Sequence, residues 1–182
     1  MLALTAKYWR NKPELSITRE ASVSQLNRRE NRLYFGNETA PFSGVMVEHY
    51  PSGNLKSKSA LFLGILHGVS DGWHTNGVLQ IREHFHEGIS HGVRTKWFAS
   101  GARESEATIQ NGAIVGTFRR WHENGVLAES INLTNGGPEG ISFAFYPSGY
   151  ARAMARHENG ALVLRESWKD GEHRVSLSEQ SH

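Results

Sequence analysis

The chain of 182 residues contains no cysteine, and that absence removes disulfide staples, thiolate metal sites and a cysteine nucleophile together. It leaves cytoplasm and cell envelope equally open as locations. Long apolar runs are missing too. No stretch approaches the roughly 18 to 20 apolar residues that a spanning helix needs. The opening Met1 to Arg10 is too short and too soon charged to read as a secretory signal. Hydrophobic residues make up 38% and charged residues 21%, which suits a soluble folded protein with less oily core than average.

A surplus of one charge sign is absent from most of the chain. Residues 1–32 hold seven Lys/Arg against three Glu, whereas the remaining 150 hold thirteen basic and fifteen acidic residues. The basicity therefore belongs to an N-terminal tail, 1–32, which suits a membrane surface or an acidic partner. The rest is net negative, with Lys/Arg interspersed among Glu, and this argues against nucleic acid as a partner.

What the chain does have is a period. Three glycine series, beginning at Gly44, Gly53 and Gly64, each advance in steps of 24 residues and together use fifteen of the nineteen glycines. The second series closes the tripeptides Pro51-Ser52-Gly53, Thr75-Asn76-Gly77, Ala99-Ser100-Gly101, Glu123-Asn124-Gly125 and Pro147-Ser148-Gly149. A three-residue loop ending in Gly is a type I turn followed by a bulge, the Gly supplying positive φ. The four-residue spacing, as in Gly64-Ile65-Leu66-His67-Gly68, reads as a second tight turn into the next unit. Strand-sized runs with no helical period lie between the turns. Each unit is thus an antiparallel hairpin, and five full units span 44–163. At about 4.8 Å per strand, five units make a ribbon roughly 50 Å long.

Pairing across the three-residue loop sets 50 opposite 54 and 49 opposite 55. Simple alternation then sorts the side chains onto two faces. An odd-numbered face collects His49, Trp73, Trp97, Trp121 and Phe145, with Leu55, Leu79, Arg103, Leu127 and Ala151 across from them. The same face is expected to carry the columns Val45, Val69, Val93, Thr117, Ile141 and Leu61, Phe85, Ile109, Leu133. The even-numbered face is polar, with Glu48, Lys56, Arg82 and Lys96, and carries one aromatic column: Tyr50, His74, Phe98, His122, Tyr146. A sheet this apolar on one side must coil, dimerise or take a partner there.

The candidate partner-binding residues follow from these columns. Trp73, Trp97 and Trp121 serve either as glue between repeats or as a ligand platform. Tyr50, His74, Phe98, His122 and Tyr146 stand on a charged face, where aromatic anchors suit an interface. His84 and His86 share a strand face, with His91 in the next turn, but a zinc site needs three or four converging ligands, and none is expected. No insertion breaks the period to build a catalytic centre. The turn glycines lack the strand and helix context of a nucleotide loop, so neither enzyme chemistry nor a cofactor is expected.

The unit, read as G-V-x-x-x-W-[HF]-x-[NS]-G followed by a strand and G-x-x-x-G, resembles the MORN repeat (membrane occupation and recognition nexus). It is closest to the bacterial variant of antitoxin proteins of the YwqK type, and Leu33-Tyr34-Phe35 through Pro41-Phe42-Ser43-Gly44 looks like that family's usual lead-in. The resemblance covers residues 33–171 and implies hairpin ribbons that bind proteins, sometimes as dimers. The recurrent Tyr-Glu-Gly opening of eukaryotic units is lacking.

The expected architecture is therefore all-β: a single-layer antiparallel meander of hairpin repeats over 33–171, curved or coiled, with degenerate flanking strands. A short ordered piece is expected around Val23 to Leu26 within the tail, Arg32 to Phe35 is an edge strand, and Leu162 to Trp168 is a closing strand. Residues 172–182 form a polar end. The expected function is protein recognition or scaffolding, antitoxin- or immunity-like, with a toxin or effector or a second copy as partner. Peripheral membrane binding is the alternative, and a carbohydrate-binding or hydrolytic groove ranks last.

Overall fold

The computed structural model describes residues 19–134 and 137–175, and they contain no α-helix. Three short strands precede the repeats: β1 (Glu20–Ser22), β2 (Leu26–Arg29) and β3 (Arg32–Phe35). The first units supply β4 (Gly44–His49), β5 (Leu55–Phe62), β6 (Ile65–Trp73), β7 (Leu79–His86), β8 (Ile89–Ser90), β9 (Gly92–Trp97) and β10 (Arg103–Gln110). The later ones supply β11 (Ala113–Trp121), β12 (Leu127–Thr134), β13 (Gly137–Pro138), β14 (Gly140–Phe145), β15 (Ala151–Glu158) and β16 (Ala161–Ser167). From β4 to β16 the strands pair in chain order in one 14-stranded sheet, except that the short β8 and β13 pair back onto β7 and β12 beside the next strand, and β1 joins parallel to β4. The chain is thus the expected all-β meander of consecutive hairpins.

The three-residue turns form as the glycine spacing requires. The N–H of Tyr50 donates to Asn54 O at 2.8 Å, and Gly53 N–H donates to Tyr50 O at 2.9 Å; the same pair of bonds recurs at 74, 98, 122 and 146. Gly77 holds φ at +85° with nothing within 4 Å of an added Cβ, so a substitution there meets only conformational strain. Gly77→Val is expected to destabilise by about 1 kcal/mol or more, because a β-branched residue resists positive φ. An unchanged thermal midpoint in that variant would refute the turn. The other turn is two residues long, Leu63-Gly64, Glu87-Gly88, Asn111-Gly112 or Asn159-Gly160, with positive φ at both positions. That is type I′ geometry, whose twist matches the flanking strands. The glycine four residues on, such as Gly68 at φ +98°, lies outside this turn. It sits where β6 carries two extra residues against β5, with Ser59 opposite Ser70 and then Leu61 opposite Leu66.

Simple alternation does not survive the hairpin, and the expected faces are corrected accordingly. His49 does pair with Leu55, but Glu48 pairs with Ser57, so Lys56 is an extra residue. Gln80, Glu104, Ala128 and Arg152 are the extra residues of the later units. One inserted residue reverses every side chain beyond it. The column Leu61, Phe85, Ile109, Leu133 therefore lies on the face opposite Val45, Val69, Val93 and Thr117. Each member of it covers a glycine, in the pairs Gly44–Leu61, Gly68–Phe85, Gly92–Ile109 and Gly116–Leu133. Burial separates the faces: Leu61 and Ile109 are 2% exposed, Val69 and Val93 39% and 46%. The tryptophans stay with the exposed valine column.

The two ends differ. Residues 19–32, expected within the tail, are ordered from Arg19 on, and β2 with β3 forms a separate hairpin. This makes β3 half of a cap instead of the sheet's edge strand. Ala21, Phe42 and Leu61 are buried beneath it, packed by Leu26, Leu33, Phe35, Met46 and Leu66. Leu33 N–H donates to Gly64 O, and Gly64 N–H to Phe42 O, tying the cap to the β5–β6 turn. At the far end β16 is the closing strand, and all seven of its residues are exposed. It pairs one residue out of step with earlier units, Val163 being extra between Leu162 and Leu164. The basic residues before 19 and the polar end beyond 175 lie outside the described residues.

Candidate partner-binding surface

The aromatic column beside each turn is tied along the ribbon by its polar tips. The Tyr50 hydroxyl donates to Trp73 O at 2.7 Å, and the Tyr146 hydroxyl to Trp168 O at 3.0 Å. Between them, His74 Nε2 lies 2.8 Å from Trp97 O and His122 Nε2 lies 2.9 Å from Phe145 O. A ring nitrogen facing a carbonyl must carry the proton, so both imidazoles are protonated at Nε2. Each bond reaches the backbone of the tryptophan column one unit on. The turn asparagines reach the turn one unit on, Asn76 Nδ2 donating to Ala99 O and Asn124 Nδ2 to Pro147 O, both at 2.8 Å.

The third turn differs. Phe98 has no polar atom and Ser100 replaces the asparagine, so neither bond spans to the fourth unit. Tyr50→Phe is expected to lower stability by about 1 kcal/mol, since it orphans a part-buried carbonyl, and Phe98→Tyr to raise it by a similar amount. Thermal midpoints of the two variants check this, with shifts of about 2 to 4 °C in opposite directions.

Both columns are half-buried, from Tyr50 to Tyr146 and from Trp73 to Trp121, so exposure does not rank one above the other. The tryptophans stand at the turn end, where Trp73 meets Leu79 and Trp97 meets Arg103 before the register shifts. Arg103 also lies 5.4 Å over the Trp121 ring, filling the gap between successive tryptophans. The surface is thus two parallel aromatic rows along one long edge of the ribbon, with the rings of one row anchored to the backbone of the other. The sequence supplied both rows, but the bonds between them join residues 22 or 23 positions apart and carry no local signal.

The histidines do not gather. His84 Nδ1 faces Val93 O at 3.2 Å, and His86 stacks obliquely on His67 with ring centroids 5.2 Å apart. Burial, reinforced by His86, pushes the His67 imidazole below its ordinary value. Among the described residues no three metal-ligating groups converge. Charged groups on the sheet are mostly paired across strands, such as Arg82 with Asp71 at 2.8 Å and Arg120 with Glu129 at 2.7 Å.

The MORN repeat variant matches the chain at residues 114–135, the stretch that runs from β11 through the Glu123-Asn124-Gly125 turn and along β12. No curated protein matches the chain. A repeat of this kind points to a binding or scaffold role, and the hairpins on either side of the matched one repeat its turns and register.

Proposed function

We propose that the ribbon is a non-enzymatic protein-recognition scaffold, antitoxin- or immunity-like, which grips a protein partner along its two aromatic rows. The observation that carries this is the anchoring of Tyr50, His74, His122 and Tyr146 onto carbonyls of the next unit. Rings held in place before a partner arrives lose little freedom on binding, and preorganised aromatic anchors dominate interface energies. A toxin or effector protein fits this surface, and so does a second copy of the chain.

The test uses the intact protein as bait, with Trp97→Ala and the pair Phe98→Ala and His122→Ala. A specific protein captured by wild type should be lost from a variant whose thermal midpoint is retained. Losing capture only through unfolding marks that row as structural. Should both variants capture normally, recognition lies in residues 1–32 and their deletion comes next. Flotation with anionic liposomes, in place of protein capture, would replace this reading with the membrane one.

A further inference from the structure

The fifth unit is hollowed out. On the face that buries Leu61 and Ile109, Ser142 pairs with Ala155 and Ala144 with Ala153. One period earlier the same four places hold Phe118, Ile131, Arg120 and Glu129. The missing side-chain volume leaves an open hollow of about 130 Å³ floored by those alanines and walled by Ile131. Ser142 is 9% exposed and lines it, and among the described residues its Oγ has no hydrogen-bond partner. Unmet hydrogen-bonding capacity in an apolar hollow is what a bound guest satisfies.

The charged residues lining it are Glu129 and Arg165. Glu129 is held by Arg120 at 2.7 Å and approached by Arg152 at 3.9 Å. Arg165 pairs with Ala155 across the strands, and among the described residues its guanidinium has no ion pair or hydrogen bond. An exposed guanidinium at the rim is available to a guest carboxylate. Arg165 belongs to β16, the outermost strand, whose outer edge no strand covers among the described residues. Open peptide groups along that edge, one strand over from the alanines of the hollow, match another polypeptide main chain.

We propose that this hollow is a peptide-docking subsite that takes a branched aliphatic side chain flanked by a carboxylate, the carboxylate pairing with Arg165 and a guest carbonyl with Ser142. It deepens the recognition reading above and rests on it, adding a site away from the aromatic rows. The probe is acetyl-Glu-Leu-Glu-amide, titrated into the isotope-labelled full chain and followed by NMR. Saturable shifts should centre on Ser142, Ala144, Ala153 and Ala155. The Gln-Leu-Gln and Glu-Ala-Glu analogues should each bind about tenfold more weakly, the loss expected for one charge-assisted bond or one buried side chain.

Ala153→Leu fills the hollow and should abolish the shifts; larger residues already occupy that place in other units, Ile81 among them, so the hairpin tolerates it. Arg165→Gln, an exposed change with no bearing on folding, should make the Glu and Gln peptides equivalent. Ser142→Ala should weaken binding without lowering the thermal midpoint. Absence of saturable shifts, or shifts that persist in Ala153→Leu, overturns the proposal. Trp97→Ala should leave this binding intact, so partner capture through the rows with no peptide binding here would sink this subsite alone.

Discussion

Gly64→Ala is expected to destabilise the protein by about 3 kcal/mol or more, well beyond Gly88, Gly112 or Gly160 of its series. Position 64 holds φ at +77°, which by itself costs an L-residue roughly 1 kcal/mol. A Cβ there would also stand 2.7 Å from Leu33 O and 2.8 Å from Leu33 N. Those are backbone atoms of β3, which cannot rotate away. Shifting them breaks the bonds Leu33 N–H to Gly64 O and Gly64 N–H to Phe42 O. The control is Gly160→Ala, at φ +76° with nothing within 4 Å, which should lose only the conformational cost. Thermal or urea unfolding of the two variants reads the difference. Equal losses would mean that the β2–β3 hairpin does not press on the turn in solution.

Phe42→Ala is expected to cost about 3 to 5 kcal/mol, the range for emptying a buried aromatic site. Phe42 is 1% exposed, with the Phe35 ring stacked 6.3 Å away and the Arg19 guanidinium 5.3 Å from its centroid. Collapse into the space is restricted, because Gly44 already lies so close that an added Cβ would sit 2.7 Å from Phe42 Cζ. The damage should be local. In a repeat ribbon each unit touches only its neighbours, so the loss falls on the cap and first unit. Hydrogen exchange should show lost protection over β1 to β4 while β10 to β12 stay protected. Uniform loss along the whole ribbon would show instead that the sheet unfolds as one body.

These two positions also show the limit of reading the chain as a string. Phe42 was legible only as part of a lead-in to the first unit. Nothing near it in sequence says that Ala21 and Leu61 would close over it. The same holds for the tyrosine and histidine staples, whose acceptors lie 22 or 23 residues on, and for Ser142, whose isolation depends on Ala144 of its own strand and on Ala153 and Ala155 of the next.

The period, the strand class and the turns were determined by the sequence itself. A glycine every 24 residues at a place needing positive φ is a local demand that each unit meets alone, and His49 facing Leu55 follows from loop length. The faces were decided only by tertiary structure. Alternation predicts them until a single extra residue, Lys56 and its counterparts, reverses the pattern beyond it. A bulge leaves no reliable mark in composition, because its backbone is stabilised by the strand across from it and not by the residue inserted. Which apolar column became core, which stayed exposed, and where the hollow opened were therefore settled by pairing in space.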